Sequence, residues 1–192
     1  MKKIDKREFL QVLIKKAQQQ LDFISTYLQN AGDERLTWKK GQEWNIAECL
    51  EHLNTYSIYY LPRIEDKIKQ HREADILDDF FSRGFVGSFF IKMMGNTKKY
   101  KAAQQHVPKG QQSPELIVAD FMKYQKQLLE CLRLVKNLNL SKCRIPISIN
   151  KIIKLRLGDI FEFLIVHNER HIQQIKRQLA LSEKLGTELL NQ

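Results

Sequence analysis

The strongest constraint on how this chain folds is the recurrence of apolar side chains every three or four residues. Leu10, Leu13, Ala17, Leu21, Ile24 and Leu28 step by 3, 4, 4, 3 and 4, which puts all of them on one stripe of an α-helix. The stripe predicts a helix from about residue 5 to Ala31, with Gly32 as its stop. A second stripe joins Ile46, Leu50, Leu53, Ser57, Tyr60, Ile64 and Ile68. It opens on Asn45 with Glu48 three residues on, the capping-box pattern, and Pro62 inside it predicts a kink or local break. Ser113 and Pro114 suit the N-cap and first position of a third helix, which the spacing carries to about Leu138. The fourth opens at Gly158 and Asp159, with Asp159 as N-cap and Glu162 completing a second capping box, and runs to about Leu181.

Two long connections remain. Phe80, Phe81, Phe85, Phe89, Phe90 and Ile91 within residues 72–112 suggest short helical or irregular pieces laid over the core, ended by Gly95 and Asn96. Ile145, Ile147 and Ile149 alternate around Pro146, which reads as an extended connection. The expected fold is all-α: one four-helix bundle of the up-and-down type with long inter-helix connections, as a single domain over residues 1–192. Eight glycines and four prolines are too few for an all-β domain of this length.

The most apolar stretch, 85–94, is about ten residues long and holds Lys92, against the roughly 20 a spanning helix needs. No apolar run follows the basic start, so a cleaved signal peptide is not expected. Cys49, Cys131 and Cys143 are odd in number with no C-x-x-C pair, which excludes a disulfide framework or zinc finger and points to reduced thiols in a cytoplasmic protein. A net charge of +10 admits nucleic acid, an anionic membrane surface or acidic ligands as partners.

The most informative stretch is His167-Asn168-Glu169-Arg170-His171. Histidines at i and i+4 share a helix face one turn apart and can bind one metal ion together. Asn168 stands where a zinc protease of the H-E-x-x-H type needs its Glu, so that class is excluded, and the Glu-x-x-His pairs of a di-iron bundle are absent. At ~100° per residue the pair falls on the inward stripe of the fourth helix, followed there by Gln174 and Gln178. The plain reading is two neutral core histidines. Two on one stripe each have a buried ring nitrogen to satisfy, which favours a metal or catalytic role.

His52, seven residues after the Asn45 cap, is the candidate third ligand. Parallel second and fourth helices would bring the three rings to one level; antiparallel helices would do so only under a particular stagger. Three imidazoles leave coordination positions open, a catalytic rather than structural arrangement. Zinc, nickel, iron and copper all accept imidazole.

Trp44-Asn45-Ile46-Ala47-Glu48-Cys49-Leu50-Glu51-His52-Leu53, followed far downstream by His167-Asn168-Glu169-Arg170-His171-Ile172-Gln173-Gln174-Ile175, resembles the DinB/YfiT-like superfamily. The resemblance covers nearly the whole chain and includes the Gly-Asp lead-in to the last helix. It implies a four-helix bundle whose divalent metal is held by one His of the second helix and two of the fourth, positions that match His52, His167 and His171. It also implies a metalloenzyme related to thiol S-transferases acting on bacillithiol or mycothiol, or a hydrolase, and a homodimer. The expected cofactor is a divalent metal ion, zinc or nickel first and iron next; the expected partner is a small-molecule substrate such as a low-molecular-weight thiol.

The remaining residues carry milder expectations. Tyr56, one turn beyond His52, either lines the pocket or packs the core, and Gln174 is a candidate to orient His171 or a bound water. Glu48 is foremost a cap and Cys49 a buried small residue, while His71 and His106 are expected to be solvated. Two rival functions stay open: a metal- or ligand-binding helical bundle without turnover, and a nucleic-acid binder using Lys98-Lys99-Tyr100-Lys101 with Lys151, Lys154 and Arg156.

Overall fold

In a computed structural model of the chain, the described residues are 3–70, 79–96, 98 and 100–190, with the backbone alone for 183–190. His71 lies outside them. The protein is mostly helical: α1 (Lys6–Tyr27), α2 (Asp33–Thr37), α3 (Ile46–Gln70), α4 (Phe85–Gly95), α5 (Pro114–Leu134) and α6 (Leu157–Leu190). Two short antiparallel pairs accompany them, β1 (Ile4–Asp5) with β2 (Phe80–Phe81) and β3 (Arg144–Ile147) with β4 (Asn150–Arg156). No described helix is long and apolar enough to cross a membrane.

Local chemistry accounts for the starts of α1, α3 and α5. Asp5 caps α1 by accepting from the Glu8 N–H at 2.8 Å, and the Ser113 side chain caps α5, with Pro114 next. At α3 the box is reciprocal: the Glu48 N–H donates to Asn45 Oδ1 and the Asn45 N–H to Glu48 Oε2, both at 2.8 Å. Pro62 is exposed, and α3 runs through it without a break. Gly32, expected to stop the first helix, instead precedes α2; α1 ends at Tyr27, with Leu28 as its C-cap.

The second capping box does not form. Strand β4 runs directly into α6, and the Leu157 N–H donates to the Cys143 carbonyl (2.8 Å) and the Gly158 N–H to that of Leu140 (3.3 Å). With its first amides satisfied by the preceding turn, α6 begins two residues before Asp159 and frees both carboxylates. Asp159 accepts from the Gly84 N–H and Glu162 takes a bidentate hold on Arg83. Both acids therefore bind the lead-in to α4. Gly87 on α4 lies so close that a Cβ there would sit 2.3 Å from the Asp159 carboxyl carbon.

The expected apolar stripes are the buried ones: Leu10, Leu13, Ala17, Leu21 and Ile24 on α1, and Leu50, Leu53, Tyr60, Ile64 and Ile68 on α3. The directions of the long helices follow from their cross-contacts. Asn54 donates to the Ile117 carbonyl (3.0 Å) and Gln127 to Glu65 (2.5 Å), so α3 and α5 run the same way. Tyr56 meets His167 while Trp44 meets His171 and Tyr60 meets Phe163, so α3 and α6 run oppositely. The up-and-down order expected from the sequence thus fails between α3 and α5. The connection between them is long enough to return the chain along α6: α4 starts beside Asp159 and ends with Arg170 donating to the Asn96 carbonyl at 2.7 Å.

Candidate metal centre

Three of the five histidines meet between α3 and α6. His52 and His167 are each 3% exposed and His171 8%, and one ring nitrogen from each lies within 4.8 Å of the others. The helices that carry them are antiparallel, the orientation in which convergence depends on stagger. The stagger is supplied by Trp44, whose ring lies 4.9 Å from that of His52 and 6.1 Å from that of His171. Gln178 donates to the Trp44 carbonyl, pinning the start of α3 to α6 one turn and more beyond His171.

Burial decides the charge of the rings. Loss of solvation lowers the His52 pKa to about 4, against a hydrogen bond with His106 that pulls upward. His171 falls to about 3, again first through burial, then through His52 and Arg170, with Gln174 as a hydrogen-bonding neighbour opposing the fall. His167, the deepest, is driven well below its ordinary value by burial and by the other rings. All three are neutral imidazoles at pH 7, the form that ligates metals.

One tautomer is set by geometry. His52 Nδ1 lies 2.6 Å from the His106 carbonyl oxygen, which can only accept, so Nδ1 carries the proton and Nε2 the lone pair. That lone pair faces His167 Nε2 at 3.2 Å. The Nδ1 atoms of His167 and His171 are buried with no hydrogen-bond partner among the described residues. An orphaned buried polar atom costs ~1–3 kcal/mol, so two in one cluster are an expense that packing alone does not justify. The donor set fits a borderline divalent ion: three neutral nitrogens, with no thiolate or carboxylate among them.

Sequence reasoning missed His106. Expected in solvent, it is 3% exposed and stacks on Tyr56 at 3.8 Å between ring centroids. Thr55 gives its hydroxyl proton to the His52 carbonyl (2.7 Å), so His106 Nδ1–H donates to Thr55 Oγ1 (2.8 Å) and His106 Nε2 accepts from Ser148 (2.7 Å). Glu51 holds the same loop by accepting from the Lys109 and Gly110 amides at 2.9 and 3.1 Å. Gly110 has φ +63°, a conformation that suits glycine. Nothing in the local sequence around His106 signals this role, because every partner comes from another part of the chain.

Tyr56 sits edge-on to His167 at 4.6 Å and to His52 at 5.2 Å; burial pushes its phenol pKa up, so it stays protonated. Gln174 is half-buried beside His171. Burial likewise raises the Cys49 and Cys131 thiols, the latter to about 12, so neither is a thiolate at neutral pH. Ser148→Ala, which removes the anchor of His106 at the far side of the loop, is expected to weaken divalent-metal affinity ~10-fold, at the low end of what losing an outer-sphere partner costs. Competition with a chromophoric chelator measures it, and unchanged affinity would show that the loop does not position His52.

The family model described as the DinB superfamily matches residues 17–175. No curated protein and no solved structure matches the chain.

Proposed function

The chain belongs to the DinB superfamily, and from that membership and its three converging imidazoles we propose that it is a metal-dependent enzyme acting on a small thiol or on water. The observation that carries the reading is the cluster of His52, His167 and His171, buried, neutral and with one ring nitrogen from each within 4.8 Å of the others. These three residues are the proposed ligands, with zinc or nickel as the first candidates and iron next. A divalent ion held there would supply a Lewis acid that lowers the pKa of a thiol or water at a position the protein leaves open.

The chain's own residues do the rest. The His106 carbonyl keeps the His52 lone pair on Nε2, and Trp44 fixes the height of the ring. Tyr56 walls the centre with an uncharged phenol. Gln174, half-buried and hydrogen-bonding to His171, would orient that ring or a bound small molecule. With every described cysteine buried and protonated, a reacting thiol would come from the substrate. The proposal extends to a four-helix bundle forming one domain, cytoplasmic and homodimeric.

A second reading, a metal-binding helical protein without turnover, is favoured by the near closure of the three rings from solvent. Nucleic-acid binding through the basic strip at 98–101 is weakened by Tyr100, which lies under the Arg170 guanidinium at 5.7 Å and accepts from Asn96 at 3.0 Å. Metal analysis of untagged protein tests the site: about one equivalent of divalent ion is expected, directly or after reconstitution, whereas less than about a tenth would sink it. Turnover of thiols with electrophiles by the loaded protein would separate enzyme from binder.

A further inference from the structure

The second chemically distinctive place in the molecule is far from the histidines. Arg144 and Arg156 are direct partners across the β3–β4 ladder. Directly opposed like charges destabilise an antiparallel pair. Both line an open cavity of about 560 Å³, and Lys3 and Lys142 line it with them. Arg156 is about 16 Å down the chain from His167 at ~1.5 Å per helical residue, so this cavity and the metal centre are separate.

The walls are arranged around the charge. Lys3 reaches over the Phe80 ring, 5.6 Å from its centroid, which gives the cavity an apolar floor beside its cations. Arg156 donates to the Ser82 carbonyl at 2.5 Å, and the Ser82 N–H donates to Ser141 Oγ at 3.2 Å, tying the two sides together. Asp159, whose charge Arg156 feels, is fully buried and turned to the Gly84 amide. No ion pair among the described residues neutralises Lys3, Lys142 or Arg144.

We propose that this cavity is a binding site for a small phosphate-bearing molecule, its phosphates between Arg144, Arg156 and Lys142 and its apolar or planar part against Phe80. Arginines at facing positions of a β-ladder that both line one cavity offer guanidinium donors that match phosphate oxygens, and an anion bound among them offsets the repulsion of the opposed pair. The volume lies in the range of small-ligand sites. The concentration of charge here also accounts for part of the +10 net charge that the metal centre does not use.

Pyrophosphate is the probe, titrated calorimetrically into the full-length protein at low ionic strength, with inorganic phosphate and a short DNA duplex in parallel. Pyrophosphate should bind, and bind more tightly than phosphate. The double variant Lys142→Glu/Arg144→Glu should weaken it at least ~tenfold. Without ligand, Arg144→Glu should melt higher than wild type, because it replaces an opposed like pair by an opposite one, and it should lose the rise in melting temperature that pyrophosphate gives wild type. Lys142→Ser, a milder change at an exposed position, should weaken binding in the same sense. Chelation at the three histidines would affect wild type and variants alike, so it cannot mimic the difference. Equal affinity of wild type and double variant, absence of pyrophosphate binding, or binding of duplex alone would each overturn the proposal.

Discussion

His167→Leu is expected to yield a protein whose metal-free stability stays close to that of wild type but which no longer retains a divalent ion. His167 is the most enclosed of the three rings, packed by Phe163 at 5.5 Å and Tyr56 at 4.6 Å, and its Nδ1 has no partner among the described residues. A leucine of similar volume removes that orphan, worth ~1–3 kcal/mol, and in exchange leaves His52 Nε2 without its neighbour at 3.2 Å, so the two effects largely cancel. The same change deletes one of three proposed ligands. The loss of affinity should be about a thousandfold or more, beyond the 10–100-fold cost of an outer partner. Near-unchanged stability paired with a large binding loss is the signature of a residue kept for function. Urea denaturation of the metal-free proteins and a chelator competition read the two effects separately. A variant less stable than wild type with intact metal affinity would make His167 an ordinary core residue.

Acid is expected to unfold the metal-free protein in a window set by its buried histidines. His52 and His106 titrate near 4 and His171 near 3 in the folded chain, each lowered first by burial, against about 6.5 when unfolded. Depressed folded values mean that the unfolded chain binds more protons. The stability is fully present above about pH 6.5 and is lost as pH falls towards 4. At pH 5.5 each ring has cost ~1.4 kcal/mol relative to pH 7.5, about 4 kcal/mol for the three, and His167 adds in the same direction. Asp159 works the other way: burial raises it to about 6, so protonation there returns ~0.8 kcal/mol over the same range. A net loss of about 3 kcal/mol or more is a large part of an ordinary domain's stability. Urea midpoints at pH 7.5 and 5.5 should show it, and a flat profile would mean that the rings are not buried as described.

Much of this protein is visible in its sequence wherever the cause is local. The apolar stripes of α1 and α3, the reciprocal Asn45–Glu48 box and the Ser113-Pro114 start all depend on residues within a turn or two of one another. Asp159 and Glu162 show the limit of such reading. Their spacing is that of a capping box, yet the turn at 140–143 had already satisfied the helix amides, so the carboxylates went to Gly84 and Arg83. A pattern states what a segment can do alone, and a better partner elsewhere overrides it.

The metal centre divides along the same line. That His167 and His171 share a face follows from helical pitch, and His52 was their candidate companion from its depth below the Asn45 cap, a choice the resemblance then matched. Their meeting did not follow, because antiparallel helices align three rings only at one stagger, and that stagger rests on Trp44 and Gln178. His106 was invisible for the same reason: its carbonyl sets the His52 tautomer from a loop more than fifty residues away. The sequence by itself determined the helices, their inward faces and the residues able to ligate a metal, since pitch and side-chain chemistry are properties of short segments. Only the tertiary structure decided which nitrogen points where, which loop holds it and which arginines face each other across a ladder, because those depend on contacts between residues that the chain order keeps apart.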